Sequence, residues 1–188
     1  RHYLANRFAS GHRLWKDCDV AIGIGTRLTQ HQIDWGIDDN LKIIHIDLDP
    51  AKVGRITKPA VGIVADAAEA TAALVNELSR TMSKRQSREE EMKAHHARMA
   101  EECKGLAPQK VWVDALRAEI PEDGIVVEEL TQVSYASRFL FPVYKPRTYL
   151  ASGYQGTLGW GYATGLGVAC ARPDVPVVSI NGDGGFLF

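Results

Sequence analysis

Gly182-Asp183-Gly184-Gly185 is the stretch of this sequence richest in chemistry. It follows Pro176-Val177-Val178-Ser179-Ile180, an apolar run that reads as a buried strand, so the glycines stand where a strand leaves its sheet. Glycines there let the backbone come close to a phosphate, and the carboxylate of Asp183 beside them can ligate a Mg²⁺ that bridges to phosphate oxygens. The same four residues also make a simple tight turn, and on this segment alone both readings stand.

A second glycine pair, Gly23-Ile24-Gly25-Thr26, also follows an apolar run. It invites a dinucleotide-binding reading, in which Asp47 or Asp49 at the end of the next run would accept hydrogen bonds from a ribose. The third glycine of that fingerprint is missing and Arg27-Leu28-Thr29-Gln30 opens no evident helix, so a tight strand exit competes with it. Asp49-Pro50 has the pattern of a helix start, with Asp as N-cap and Pro at the first helical position. His45, inside an apolar strand, reads as a hydrogen-bonded core residue, whereas His95 and His96 fall in a charged stretch and are expected to be solvated. Cys18, Cys103 and Cys170 are odd in number and far apart, which suggests neither a disulfide framework nor a zinc site; each is expected to behave as a small buried hydrophobe.

These groups need elements to hold them. Residues 20–24, 42–47 and 61–64 read as short strands, and Asp66 with Glu69 three positions on has the spacing of a capping box opening an Ala-rich helix to about residue 78. Residues 81–105 turn to alternating charges, the pattern of an exposed helical connector laced with i,i+4 pairs. Residues 109–119 are then amphipathic through Val111, Val113, Leu116 and Ile120, followed by a turn at 121–124, strands at 125–127 and 148–151, and a glycine-rich helix over 156–171. Strands alternating with helices imply an α/β fold: two parallel-sheet, three-layer αβα units joined by a charged helical linker, the second unit truncated.

The chain has 188 residues, enough for one large or two small domains, with 45% apolar and 24% charged residues, which excludes disordered and fibrous classes. Its 22 Lys and Arg against 23 Asp and Glu leave a net charge of −1, so no global positive field exists to hold nucleic acid or a membrane surface. With no apolar run of membrane-spanning length and no signal-peptide pattern, a cytoplasmic location is expected. The chain opens at Arg1 without Met and closes on Phe186-Leu187-Phe188 directly after a core strand, so it is expected to be an internal piece of a longer polypeptide.

The C-terminal glycine motif gains meaning from its neighbours. Gly153-Tyr154-Gln155-Gly156-Thr157-Leu158-Gly159-Trp160-Gly161, then Gly165-Leu166-Gly167, then Ala171-Arg172-Pro173-Asp174-Val175-Pro176-Val177-Val178 and the Asp183 turn form an ordered set. It resembles the pyrophosphate-binding domain of thiamine diphosphate-dependent enzymes of the acetolactate synthase and benzoylformate decarboxylase type. Asp19-Val20, Gly25-Thr26-Arg27-Leu28 and Ile44-His45-Ile46-Asp47-Leu48-Asp49-Pro50 look like the central domain of the same enzymes. The resemblance implies a Rossmann-like central domain over residues 1–80, N-terminally incomplete, a linker over 81–108, and the start of a thiamine diphosphate-binding domain over 109–188.

It also implies roles. Asp183 would be the first protein ligand of Mg²⁺, and Gly182 with the amides of Gly184 and Gly185 would approach the diphosphate. Leu158 would wedge beneath the cofactor and force it into a V-shape, Gly156 would accept a hydrogen bond from the 4′-amino group, and Thr157 would line the same site. Glu129-Leu130-Thr131-Gln132 resembles the segment whose polar side chains touch the terminal phosphate, with Thr131 and Gln132 as the contacts. The Asn that completes the metal site and the glutamate that activates the aminopyrimidine would lie outside this chain, which therefore holds no catalytic residue of its own and is expected to be inactive alone. Arg27-Leu28-Thr29-Gln30 stands where acetolactate synthases carry Arg-Phe-Asp-Asp near FAD, a departure that argues against FAD.

The implied activity is that of an acetolactate synthase-like enzyme acting on a small-molecule 2-keto acid by decarboxylation with carboligation, a homodimer or homotetramer when intact. Two alternatives accompany it: a benzoylformate decarboxylase-like enzyme that releases an aldehyde, towards which Leu158 and residues 129–132 lean, and a non-catalytic nucleotide-binding or interaction module. A nicotinamide-dependent dehydrogenase would rest on Gly23 and Gly25 alone.

Overall fold

A computed structural model describes residues 9–153 and 155–188. Their contacts divide into two compact units, one ending at His95 and the other running from His96 to Phe188. Both are α/β, and each contains an open, wholly parallel three-stranded sheet.

In the first unit the strands are β1 (Val20–Ile24), β2 (Lys42–Asp47) and β3 (Val61–Val64), in that spatial order. Helices α1 (Ala9–Lys16), α2 (Thr29–Ile33) and α3 (Ala67–Thr81) accompany them. The strands fall where the apolar runs placed them, and β2 pairs on both sides, Ile44 opposite Ile22 and Val61. Asp66 caps α3 as its spacing predicts, accepting from the amides of Ala68 at 2.8 Å and Glu69 at 3.2 Å. The helix continues to Thr81, three residues past the expected end.

Two expectations here are corrected. Residues 29–33 do form a helix, short and entered through Leu28 in a left-handed conformation (φ 50°). Asp49 starts no helix: Asp49 Oδ1 accepts from Ala51 N at 2.9 Å and Asp47 Oδ1 from Asp49 N at 2.9 Å, so the two carboxylates tie up a series of turns. His45 is buried as expected: Gly54 N donates to Nδ1 at 3.4 Å, which leaves Nε2–H to donate to the Thr26 carbonyl at 2.9 Å.

The charged stretch forms α4 (Glu89–Glu102), with Lys93 beside Glu89 (3.1 Å) and Glu90 (2.8 Å) and Arg98 beside Glu102 (3.0 Å), all exposed pairs worth little individually. His95 and His96 are half-buried rather than solvated, because each lies on the inward side of α4 near Met99, which is buried. The cysteines also differ from expectation: Cys18 and Cys103 are half-buried free thiols and Cys170 is exposed.

The second unit has α5 (Ala107–Glu119), β4 (Ile125–Glu128), α6 (Gln132–Leu140), β5 (Tyr149–Ala151), α7 (Trp160–Ala171), β6 (Val177–Ile180) and α8 (Asp183–Phe186), with strand order β5-β4-β6. All four residues of the central β4 are buried. On one face Val126 packs with Val113, Ile120, Ala136 and Phe141 beneath α5 and α6. Val111, expected on that face, is 68% exposed, since at two positions before Val113 it lies on the opposite side of α5. On the other face α7 lies against β6 and β4, and its glycines make the approach possible. A Cβ on Gly165 would stand 2.9 Å from the Ser179 Cβ. The helix begins at Trp160 rather than at 156, because Gly156 (φ 61°) and Gly159 (φ 80°) are left-handed and turn the chain before it can coil.

Candidate functional site

Parallel strands send their carboxyl ends to the same edge of the sheet, and the crevice outside that edge is where α/β sheets take ligands. Here β4 and β6 end side by side: Glu128 is opposite Ile180, and Glu129 N donates to the Ile180 carbonyl at 2.9 Å. The segments that leave this edge are residues 129–132 and 181–185.

Residues 129–132 meet two of the glycine-bearing runs, 153–161 and 182–185. Leu130 Cδ1 is 3.5 Å from where a Cβ of Gly156 would stand, and Thr131 Cγ2 is 3.6 Å from that of Gly182. Glu129, 1% exposed, accepts from Gly159 N at 2.7 Å and from Gly161 N at 2.9 Å. Gly159 is the N-cap of α7 and has no side chain to cap with, so a carboxylate from the neighbouring strand satisfies the helix start and its dipole. Gly185 rests on the same carboxylate, where any Cβ would overlap Glu129 Oε1. The residues of 181–185 continue the network: Asn181 Nδ2 donates to Ser179 Oγ (2.9 Å), whose hydroxyl donates to the Gly161 carbonyl (3.1 Å). The buried Asn181 Oδ1 has no hydrogen-bond partner.

The sequence-predicted residues divide accordingly. Thr131, Gly156, Gly182 and Gly185 come together around Glu129 and Leu130. Asp183 and Gly184 are exposed at the start of the short helix α8, which replaces the expected tight turn. Thr157 and Leu158 are exposed on the approach to α7, Leu158 by 46%. Gln132 points elsewhere in this structure, its Oε1 accepting from Gln109 Nε2 on α5 at 2.8 Å. Thr131 is engaged as the N-cap of α6, accepting from Ser134 N at 3.0 Å. Trp160 is half-buried, and Tyr154 lies outside the described residues. Sequence reasoning missed the roles of Glu129 and Asn181, although a helix opening Gly-Trp-Gly without a capping side chain is a signal that something else must cap it.

These residues fit a diphosphate held through a metal. The backbone at Gly184 is bare, with nothing within 4 Å of a Cβ there. Asp183 offers a hard, accessible carboxylate of the kind Mg²⁺ prefers, whereas the orphaned Asn181 Oδ1 is turned inward against Gly161. Among the described residues no group of three His, Cys, Asp or Glu comes together to hold a metal without such a ligand.

Opposite Glu129, on the α6 face, Glu128 is wholly buried and Arg138 donates to its Oε1 from Nε (2.8 Å) and Nη2 (2.6 Å). Burial pushes the Glu128 carboxyl up, with the guanidinium opposing. Tyr149 beside this pair is pushed up to about 12 by burial, and its hydroxyl meets Ser137 Oγ at 2.5 Å. This network holds α6 to the sheet.

The first unit gives its glycine pair a packing explanation. A Cβ on Gly23 would run into the Leu28 side chain, so that glycine makes room for Leu28 on β1, and Gly25 (φ 59°) turns the chain out of the strand. A cleft of about 680 Å³ lies instead at the amino ends of β1 and β2, with Trp15, Asp19, Trp35 and Asn40 in its walls. None of the predicted site residues lines it.

Residues 5–74 match the family described as "Thiamine pyrophosphate enzyme, central domain", and residues 130–188 match "Thiamine pyrophosphate enzyme, C-terminal TPP binding domain". The chain belongs to the thiamine pyrophosphate enzymes. It is 30% identical over 193 residues to the probable acetolactate synthase large subunit of Methanococcus aeolicus, an alignment covering 91% of this chain and 32% of that protein. With the acetolactate synthase large subunit of Corynebacterium glutamicum the identity is 34% over 179 residues (89% and 28%). With the probable 2-ketoarginine decarboxylase of Pseudomonas aeruginosa it is 28% over 189 residues (96% and 33%). The chain thus spans about a third of the length of the curated relatives it matches. Among the described residues no helix is long and apolar enough to cross a membrane.

Proposed function

We propose that this chain is part of a thiamine diphosphate- and Mg²⁺-dependent enzyme that decarboxylates a 2-keto acid and joins the remainder to a second carbonyl compound, as an acetolactate synthase-like protein. The observation that carries the reading is the convergence of residues 129–132, Gly156 and residues 181–185 at the carboxyl ends of β4 and β6, beside the exposed Asp183. Thiamine diphosphate, when bound, supplies the electron sink for cleaving the bond between a keto carbon and its carboxylate.

The chain's own residues bind and orient. Asp183 holds Mg²⁺ against the phosphates, and the bare backbone at Gly184 lets them come close. Gly185 leaves room for the Glu129 carboxylate at α8, and Gly182, its N-cap, lies beside Thr131. Leu158 gives the cofactor an apolar support with Thr157 beside it, and the Gly156 carbonyl accepts from its amino group, a placement that fixes the reacting geometry. Thr131 and Gln132 reach the terminal phosphate, Gln132 by exchanging its bond to Gln109 for one to the ligand. Residues 1–80 and 109–188 act as central and cofactor-binding domains about the 81–108 linker, in a cytoplasmic homodimer or homotetramer whose other segments supply the proton-transfer glutamate and the second metal contact.

A decarboxylase that releases an aldehyde is the second reading, favoured by the likeness to a 2-ketoarginine decarboxylase and by Leu158 and residues 129–132. The deciding experiment is calorimetric titration of the full-length protein with thiamine diphosphate, with and without Mg²⁺. Asp183→Ala should weaken the Mg²⁺-dependent binding at least about tenfold, the scale of one charged contact. Unchanged binding would overturn the reading, and product analysis over a panel of 2-keto acids separates hydroxyketone from aldehyde.

A further inference from the structure

A glutamate at the end of a central strand and 1% exposed must find partners for both carboxylate oxygens, because an unpaired buried carboxylate is too unfavourable to persist. Glu129 finds them in the backbone of another element, Oε1 with Gly159 N at 2.7 Å and Oε2 with Gly161 N at 2.9 Å. Charge-assisted bonds of this kind are short and directional. They fix the turn before α7 at one distance from the end of β4.

The other side of the carboxylate is equally committed. A Cβ on Gly161 would lie 2.7 Å from Glu129 Cβ and 2.8 Å from Oε2, and one on Gly185 would overlap Oε1 and lie 2.6 Å from Cδ. The side chain is therefore wedged between the start of α7 and the turn that carries Asp183 and Gly184. It also occupies the N-terminus of α7, which would otherwise attract an anion. A diphosphate in this unit is left with the 182–185 side.

We infer that Glu129 is a positioning residue: it sets the spacing between the 156–161 turn and the 182–185 turn and directs the diphosphate onto the latter. This rests on the cofactor reading proposed above. The carboxylate touches neither phosphate nor metal; it acts through the two glycine turns it separates.

The test uses the full-length protein with Mg²⁺ and, as probes, thiamine diphosphate and thiamine monophosphate. Glu129→Gln replaces one acceptor with an N–H facing Gly159 or Gly161. Without cofactor it should speed hydrogen exchange in peptides covering 156–165. It should lower thiamine diphosphate affinity about tenfold while lowering monophosphate affinity less, so the ratio of the two falls. Gly185→Ala, which pushes the turn off an intact Glu129, should lower the same ratio and remains informative if Glu129→Gln fails to fold. Faster exchange with an unchanged ratio in both variants would reduce Glu129 to a structural cap and overturn the inference. Asp183→Ala separates the two levels. If it leaves Mg²⁺-dependent binding intact, the cofactor reading itself fails. If it weakens binding while both other variants keep the parental ratio, the positioning role alone fails.

Discussion

Replacing Arg138 with Met removes the partner of a carboxylate that has no access to water. Glu128 is 0% exposed, and both guanidinium donors of Arg138 converge on its Oε1. Methionine keeps most of the arginine stem's volume, so the perturbation is chiefly the lost charge. Breaking one side of a buried pair costs about 3–5 kcal/mol when the other charge stays ionised. Glu128 can escape part of that by binding a proton, and this gives the prediction its pH dependence. Burial already holds its carboxyl above the ordinary range, with Arg138 opposing, and in the variant the opposition is gone. The folded value then stands further above the unfolded value of about 4.3, and between the two the folded chain binds more protons than the unfolded one. Stability in that window falls as pH rises, by up to about 1.4 kcal/mol per pH unit.

Arg138→Met is therefore expected to lie closest to the parent below about pH 4.3 and to fall away from it as pH rises, towards a loss of about 3–5 kcal/mol once Glu128 is ionised in the folded chain. Urea titrations of the full-length protein, read by hydrogen exchange in peptides covering 125–140, confine the measurement to this unit. Adding Glu128→Gln should recover part of the loss at high pH, since it removes the stranded charge. A loss below about 1 kcal/mol, or one that is the same at every pH, would refute the reasoning.

Two further outcomes follow from the second unit. Gly165→Ala sets a Cβ 2.9 Å from Ser179 Cβ and 3.0 Å from its hydroxyl, so α7 must lift from β6 at a cost of about 1–3 kcal/mol; a lower thermal midpoint that Ser179→Gly restores is the expected result. Asp174 is held down to about 2 by hydrogen bonds from Arg172 at 2.8 and 2.7 Å, so its small stabilising contribution is present above the unfolded value and fades as pH falls towards 2. A carboxyl midpoint near 2 by NMR, rising in Arg172→Ala part of the way towards about 3.9 because a backbone hydrogen bond to Asp174 remains, is expected. An unchanged midpoint in that variant would exclude Arg172 as the cause.

The fold was legible wherever a local pattern decides the element, even for β3, whose residues are all exposed. The apolar runs of β1, β2 and β3 and the Asp66 cap needed no tertiary information, because each is decided by residues within a turn or a strand of one another. The start of α7 was misplaced because glycine-rich sequence is apolar enough to suggest a helix from 156, while the left-handed Gly156 and Gly159 delay it to Trp160. Asp49-Pro50 misled for a similar reason: Asp47 two residues earlier competes for the same backbone, and a chain of side-chain-bonded turns wins over a helix. Val111 shows the limit of counting apolar positions, since two residues before Val113 is the far side of the helix whatever the residue type.

The candidate site was legible as a list of glycines but not as an arrangement of them. Glycines in one motif serve different neighbours, and sequence cannot tell a bare backbone from a filled one. Gly161, Gly165 and Gly185 are glycines because a side chain is already there, Glu129 or Ser179, whereas Gly184 has open space where its Cβ would be. The first three are packing requirements of α7 and the strand edge; the fourth is free to meet a ligand. The residue that decides their spacing, Glu129, stands some thirty residues from the nearest of them, out of reach of any local pattern.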